Sequence, residues 1–265
     1  MYVYTCKSDY DSMLSCIYEA WASGKGHKNI KLCVEPVEQF GLFDEYIHVD
    51  ADESKAEKVS SAVWHKISPQ VYWEISYALL SFEEDALDIV YRLLILGFHF
   101  GPKVLDMVQY REVIRFREIR KLVSREAHSF REFLRFYCVN DNLYVAHFEP
   151  RSRVLMPVAS YFKERMPSEN WMIIDDTHRE AIVHPKDEEC YLRILTEEEA
   201  EALLATEQDD YYSRLWRNYF RTMGISQREN RTCQNNHFPL WMRKHVTEFR
   251  ETDPYAPKYP TWIRQ

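Results

Sequence analysis

Scarcity of glycine is the feature that most limits which folds are open to this chain. Only six of its 265 residues are glycine, about 2% where about 7% is usual. The glycines lie at positions 24, 26, 41, 97, 101 and 224. This spacing contains neither G-x-G-x-x-G nor G-x-x-x-x-G-K-[ST], the two common glycine-rich loops that hold nucleotide phosphates. The sequence therefore argues against a dinucleotide-binding dehydrogenase and against a P-loop ATPase.

The cysteines and the apolar segments predict a cytoplasmic protein. The six cysteines, at positions 6, 16, 33, 138, 190 and 233, form no C-x-x-C pair, so we expect free, buried thiols in a reducing compartment. Residues 1–12 lack a basic segment followed by an apolar one, which indicates no secretory signal. The longest apolar run, residues 89–100, is interrupted by Arg92 and is too short to cross a bilayer. We therefore expect no membrane contact.

The first half of the chain, residues 1–130, is predicted to be mostly helical with two short strands. The strands are expected at residues 2–5 and 30–34, and Asp9 and Asp11 offer capping groups for a first helix through Met13 and Ile17. Further apolar stripes at helical spacing predict helices over residues 52–66, 71–80, 84–96 and 103–130.

The pattern changes at residue 131, where alternating segments predict an antiparallel sheet with one helix over residues 131–196. Hairpin turns are expected at residues 140–142 and 176–178, and the helix at 157–165 crosses back over the sheet. The strands are predicted at residues 133–139, 143–149, 171–175, 180–184 and 191–195. Helices in one part and a small sheet in another make the fold class α+β.

Residues 197–250 are predicted to be an acidic linker followed by a basic, aromatic and helical C-terminal region. Residues 197–210 carry seven acids and no base, and a helix is expected at 211–223. The last segment, residues 251–265, contains three prolines and is expected to be extended or disordered.

Charge is unevenly distributed along the chain. The 34 basic and 42 acidic residues give a net charge of −8, which excludes a protein coated with basic residues for binding DNA. Residues 103–135 nevertheless hold nine bases against five acids, and residues 211–250 hold eight against two. Both stretches are rich in aromatic residues, a mixture that suits single-stranded or locally opened nucleic acid. The alternative is an amphipathic helix whose arginines pair with Glu112, Glu118 and Glu126.

Candidate acid–base groups are Glu126, His128 and Asp175, with Asp176 as a substitute for the last. Residues two apart on a helix do not face each other, so Glu126 and His128 would share a face only in an extended segment. The alternative is a glutamate that pairs with an arginine and a histidine that is merely packed. The ten histidines show no H-x-x-x-H or H-E-x-x-H spacing, so no metal site is predicted. Without G-x-S-x-G, a common nucleophilic hydrolase is not indicated either.

Amide and guanidinium groups are concentrated after residue 226. Gln227, Arg228, Asn230 and Gln234 are of the types that read base edges through paired hydrogen bonds. The same side chains also cap helices and hold loops together, so both interpretations stay open.

One combination of residues matches a known family. The matching residues are Glu126-x-His128, Phe133-x-Arg135-Phe136, Pro150, Leu155-x-Pro157, Phe162-x-x-Arg165, Trp171-x-Ile173-x-Asp175, Arg179, Trp216, Phe220, Ile225, Arg228, Asn230, Gln234 and Pro239. In these residues the chain resembles a bacterial family of uncharacterised proteins described as DNA-metabolism or DNA-repair proteins. The similarity covers nearly the whole chain, and it departs from the family at Phe238-Pro239-Leu240-Trp241, where a Met-Pro followed by Tyr-Trp is expected.

The resemblance implies a protein partner and a genomic context. In that family the gene usually lies beside one for a radical S-adenosylmethionine (radical-SAM) protein, and the domain also occurs fused in front of a uracil-DNA glycosylase-like domain. This chain has no radical-SAM cysteine triad, so no cofactor of its own is expected and the iron–sulfur cluster would belong to the partner.

Three hypotheses follow. The first is an accessory protein that binds DNA, single-stranded or damaged, and acts with a radical-SAM enzyme. The second is an enzyme acting on a damaged base or nucleotide through Glu126, His128 and Asp175, and the third is a protein-interaction scaffold. For the first, the candidate nucleic-acid-binding residues are Arg125, Arg135, Arg165, Arg179, Trp216, Arg228, Asn230, Gln234 and Trp241.

Overall fold

The computed structural model describes residues 1–37, 40–139, 142–205, 211–228 and 230–249. The chain divides into two compact units. The first consists of Met1–Ala127 with Arg151–Val154, and the second of His128–Pro150 with the described residues from 155 onward. The predicted segments 251–265 and the turn residues 140 and 141 lie outside the described residues.

The first unit contains a parallel sheet of three strands. The strands are β1 (Tyr2–Cys6), β2 (Ile30–Val34) and β3 (Glu45–His48), in the order β2-β1-β3. The sequence predicts β1 and β2 but misses β3. This strand has only four residues, none of them fully buried, so it lacks the apolar alternation by which strands are recognised.

Helices cover this sheet and form most of the first unit. Asp9, Asp52 and Ser68 cap the first three by accepting hydrogen bonds from backbone N–H groups of the first turn, and Pro69 occupies the first helical position, where its missing N–H costs nothing. The core includes Leu14 and Tyr91. The helices are α1 (Tyr10–Ala22), α2 (Glu53–Lys66), α3 (Pro69–Ala78), α4 (Ala86–Phe100) and α5 (Arg111–Phe133), the last of which continues into the second unit.

The second unit is built on a mixed sheet of five strands in the order β4-β5-β6-β7-β8. The α+β class is confirmed, but the expectation that this sheet is wholly antiparallel is wrong, because β5 and β6 run parallel. The cause is α6 (Leu155–Arg165), which carries the chain back across the sheet before β6 begins. The strands are β4 (Tyr137–Val139), β5 (Leu143–Phe148), β6 (Trp171–Asp175), β7 (Glu180–His184) and β8 (Tyr191–Ile194).

Three more helices follow the sheet. They are α7 (Glu197–Ala205), α8 (Tyr211–Met223) and α9 (Arg231–His237). The bounds of α8 match the prediction. Short 3-10 turns at Leu240–Arg243 and Thr247–Phe249 end the described chain.

All six cysteines are free thiols, as expected, although only Cys6 and Cys16 are buried. Among the helices that the structure describes, none is long and apolar enough to cross a membrane.

Candidate functional site

Two carboxylates of the second unit lie at the ends of adjacent parallel strands. Phe148, the last residue of β5, is paired with Asp175, the last residue of β6, and the N–H of Asp176 donates to the carbonyl of Phe148 at 3.0 Å. The next residues, Glu149 and Asp176, therefore leave the sheet side by side. In α/β proteins the carboxyl ends of parallel strands are the usual place for ligands.

His245 approaches these carboxylates from the C-terminal segment, just after the turn at Leu240–Arg243. Its Nε2 lies 3.6 Å from Oε1 of Glu149 and 3.7 Å from Oδ2 of Asp176. One donor atom from each of the three residues lies within 4.8 Å of the others. We call Glu149, Asp176 and His245 the histidine–carboxylate centre.

His147, a buried residue of β5, holds Asp176 in place from behind. Its Nδ1 lies 3.1 Å from both carboxylate oxygens of Asp176, and its Nε2 lies 3.2 Å from the hydroxyl of Tyr137. In the neutral ring, Nδ1–H donates to Asp176 and Nε2 accepts from Tyr137. The ring also stacks on that of His245, with centroids 5.8 Å apart. Tyr137, His147 and Asp176 thus form one buried chain of hydrogen bonds.

The electrostatics of the centre favour a neutral imidazole beside an ionised carboxylate. Burial lowers the pKa of His245, against the opposing effect of Asp176 and Glu149. Burial would raise the pKa of Glu149, but the ammonium group of Lys244 lowers it overall. Lys244 forms an ion pair with Oε1 of Glu149. The centre therefore presents a nitrogen lone pair and carboxylate oxygens near neutral pH.

The predicted acid–base residue Glu126 has a local role in the first unit. Its Oε1 accepts from the backbone N–H of Arg151 at 2.6 Å, and its Oε2 accepts from that of Ser152 at 3.2 Å. These bonds tie the segment Arg151–Val154 to α5.

The other two predicted acid–base residues also make contacts outside the centre. His128 is exposed, and its Nε2 lies 3.2 Å from Glu132, one turn along α5. Asp175 is buried, and it accepts from the backbone N–H groups of Thr177 and His178 and from the His178 ring. Burial raises the pKa of Asp175, although His178 counteracts the shift. Asp175 holds the β6–β7 turn together, and its neighbour Asp176 reaches the centre.

The predicted phosphate contacts fall into two groups. Arg135 donates to Glu248 through Nη2 at 2.5 Å, and Arg179 donates to Glu197 at 3.0 Å, so both guanidinium groups already face a carboxylate. The remaining side chains of this set are exposed: Arg125, Arg165 and Arg228.

The predicted base-reading and stacking residues have different surroundings. Asn230 caps α9 by accepting from the N–H of Cys233, whereas Gln234 is exposed. Trp241 is partly buried, with its ring 6.0 Å from that of Phe130. Trp216 is 40% exposed, and it stacks on Tyr219 at 5.7 Å.

Trp216 belongs to a larger exposed surface on α8. Side chains three or four residues apart share one face of a helix, and here the shared face is aromatic and faces solvent. Arg217, on the other side of the helix, is only 2% exposed. We call this surface the α8 aromatic face, and its exposed aromatic residues are Tyr212, Trp216, Tyr219 and Phe220.

Sequence reasoning did not single out the centre as a set. Glu149, Asp176 and His245 are far apart in the chain and share no motif spacing, and His147 is a lone histidine within a strand. The available signal was two strand patterns, each followed at once by an acid, with a crossover helix between them. That arrangement predicts parallel strands with neighbouring carboxylates.

Comparison with known proteins identifies a family. No curated protein matches the chain. The profile of one family, described as a domain of unknown function (DUF4130), matches residues 84–248. That range covers more than half of the chain and includes all of β4 to β8, the centre and α8. The chain belongs to the DUF4130 family.

Proposed function

We propose that the protein binds single-stranded or locally opened DNA through the α8 aromatic face, as an accessory protein of DNA metabolism or repair. The observation that carries this proposal is the exposure of several aromatic rings along one helix. A soluble protein ordinarily buries such residues, so a contiguous exposed set indicates a binding surface. The resemblance to DNA-repair proteins supplies the class of ligand.

Aromatic rings suit unpaired bases because every base has a flat π-face. Stacking contributes about 1–3 kcal/mol per base and depends little on sequence. Trp216 and Tyr219 stand nearly parallel to each other, with an angle of 27° between their planes. The guanidinium of Arg135 lies 5.6 Å from the ring of Trp216, within the range of a cation–π contact.

Exposed arginines provide the phosphate contacts in this proposal. Arg228 lies in the turn at Ser226–Arg228 that follows α8, and its side chain is exposed. Arg165 is a further exposed candidate in the same unit. Arg135 and Arg179 are less suitable, because each pairs with a carboxylate.

Fluorescence anisotropy with labelled single-stranded, duplex and RNA oligonucleotides tests the proposal. Replacing Trp216 and Tyr219 by Ala should weaken single-strand binding by about 5- to 150-fold per ring that stacks on a base. The matched control is Trp73→Ala, since Trp73 is an exposed tryptophan of α3 in the first unit. If the wild type does not bind single-stranded DNA at low salt, the proposal is wrong. It is also wrong if the Trp216 and Tyr219 variant binds as tightly as Trp73→Ala.

We further propose that the protein acts together with a radical-SAM enzyme, as the family resemblance implies. A pull-down with the radical-SAM protein encoded beside a family member tests this pairing, with and without DNA. If the α8 variants lose the partner while no DNA binding is measurable, the α8 aromatic face serves a protein-interaction scaffold instead.

A second candidate function is catalysis on a damaged base or nucleotide. The observation in its favour is the histidine–carboxylate centre, whose buried imidazoles beside two carboxylates are suited to general acid–base chemistry. In this version Glu149, Asp176 and His245 take the place of Glu126, His128 and Asp175. Asp176→Asn should abolish turnover of a lesion-containing oligonucleotide, whereas Glu126→Gln should retain it; the reverse result would restore the original residues.

A further inference from the structure

Three features of the histidine–carboxylate centre point to a ligand smaller than a nucleotide. The first is the spacing of its donor atoms. Nε2 of His245 lies 3.6 and 3.7 Å from the two carboxylate oxygens, which is too far for a normal hydrogen bond. A tetrahedral zinc ion with bonds of about 2.0–2.1 Å separates its ligand atoms by about 3.3–3.4 Å. The observed spacing is therefore close to that of two ligands sharing one ion.

The second feature is a small cavity beside these atoms. It has a volume of about 10 Å³, and His147, Glu149 and His245 are among its lining residues. A volume of this size accommodates about one water molecule. Phe130 and Phe148 also line it, so that the surroundings of the polar atoms are largely apolar.

The third feature is the support behind Asp176. Metal-binding side chains are usually oriented by further hydrogen bonds from outside the ligand set. Here His147 contacts both oxygens of Asp176 and is held in turn by Tyr137. A simple surface ion pair does not require such a buried chain.

We propose that Glu149, Asp176 and His245 bind one divalent transition-metal ion, with Zn²⁺ as the best match. An imidazole nitrogen favours zinc and its neighbours in the first transition row over Mg²⁺ and Ca²⁺, which prefer oxygen ligands alone. Three protein ligands leave a fourth position for water, the pattern of catalytic zinc sites.

Lys244 is the competitor that this site must displace. Its ammonium group pairs with Oε1 of Glu149, the oxygen nearest to His245. The side chain of Lys244 is 61% exposed, so it can turn into solvent when an ion arrives. Removing this lysine should therefore strengthen metal binding. If the ion pair of Lys244 with Glu149 were purely structural, its removal would not have this effect.

Titration of the reduced, chelator-treated full chain with Zn²⁺ alone tests the inference. Calorimetry should give one ion per chain, and Co²⁺ should produce the visible absorption of a tetrahedral site. Glu149→Gln, Asp176→Asn and His245→Gln should each abolish this binding. His147→Gln should weaken it by about 10- to 100-fold.

The matched control replaces the exposed pair His128 and Glu132 by Gln, which removes one imidazole and one carboxylate of the same unit. Cys233→Ser removes the exposed thiol as a competing ligand. Both controls should retain full binding. If the wild type binds no metal, or if the three centre variants bind as the controls do, the inference is wrong.

Folding does not obscure this test. If Asp176→Asn or His245→Gln fails to fold by circular dichroism, Glu149→Gln and Lys244→Ala remain, because both side chains are partly exposed. Loss of Zn²⁺ binding in Glu149→Gln together with tighter binding in Lys244→Ala supports the site. Equal affinities of the two variants for Zn²⁺ overturn it. Since no nucleic acid is present, the result is independent of the proposed DNA binding.

Discussion

Helices α5 and α8 have similar compositions and opposite exposures. Both combine arginines with aromatic residues, so the sequence makes them equal candidates for nucleic-acid contact. In α5 the ring of Phe116 is 1% exposed, and Arg115 pairs with Glu83 and Asp85. In α8 the aromatic residues face solvent and Arg217 is buried. Composition therefore identifies candidates, and only the direction in which the rings face separates a core helix from the helix that we propose as a binding surface.

The largest expected contrast concerns unfolding. Phe116→Ala should lower the free energy of unfolding by about 3–5 kcal/mol, because it removes a buried ring from a packed core. Tyr212→Ala on α8 should change it by no more than about 0.5 kcal/mol, since this side chain is 74% exposed. Urea denaturation of both variants provides the measurement. A large loss in Tyr212→Ala would mean that α8 buries its aromatic face.

A smaller contrast concerns the arginines. Arg115→Ala should cost about 1 kcal/mol of stability, because a partly exposed ion-pair network contributes only modestly. It should leave DNA binding unchanged, since its guanidinium is already engaged by Glu83 and Asp85.

Arg228→Ala should show the opposite behaviour. Stability should be unaffected. The slope of log affinity for DNA against log salt concentration should fall by about 1, the value for one phosphate contact. Lys28→Ala, the loss of an exposed charge outside both basic stretches, is the control. Equal salt slopes in Arg228→Ala and wild type would remove Arg228 from the proposed interface.

The smallest contrast is in the response of the buried histidine to pH. Burial lowers the pKa of His245 below its usual 6.5, so the unfolded chain takes up a proton before the folded chain does. The free energy of unfolding is therefore highest above about pH 6.5 and decreases as the pH falls towards the folded pKa. In chelator, wild type should lose more stability than His245→Gln between pH 7 and 5. Parallel curves for wild type and His245→Gln would contradict this.

Local structure was largely accessible from the sequence. The cap at Asp9 and the bounds of α8 follow from short-range chemistry, which a single sequence displays. Strand β3 was missed because its residues are half-exposed. The direction of β5 relative to β6 was also missed, because strand pairing depends on the path taken by α6 and not on the strands' own residues.

The candidate sites were harder to predict for the same reason. Asp175 and Asp176 are neighbours, yet successive residues at a strand end point in different directions, so one ties a turn and the other reaches His245. Nothing local distinguishes them. The parallel pairing that brings Glu149 next to Asp176 is long-range, as is the approach of His245 from nearly seventy residues further on.

Photo-crosslinking tests the central claim most directly. Single-stranded DNA carrying bromodeoxyuridine is irradiated with the full chain, and crosslinked peptides are mapped by mass spectrometry. We predict crosslinks at Trp216, Tyr219 or their aromatic neighbours on α8, and their loss when Trp216 and Tyr219 are replaced by Ala. Crosslinks confined to α5 or to the first unit, or none above the level of duplex DNA, would contradict the account.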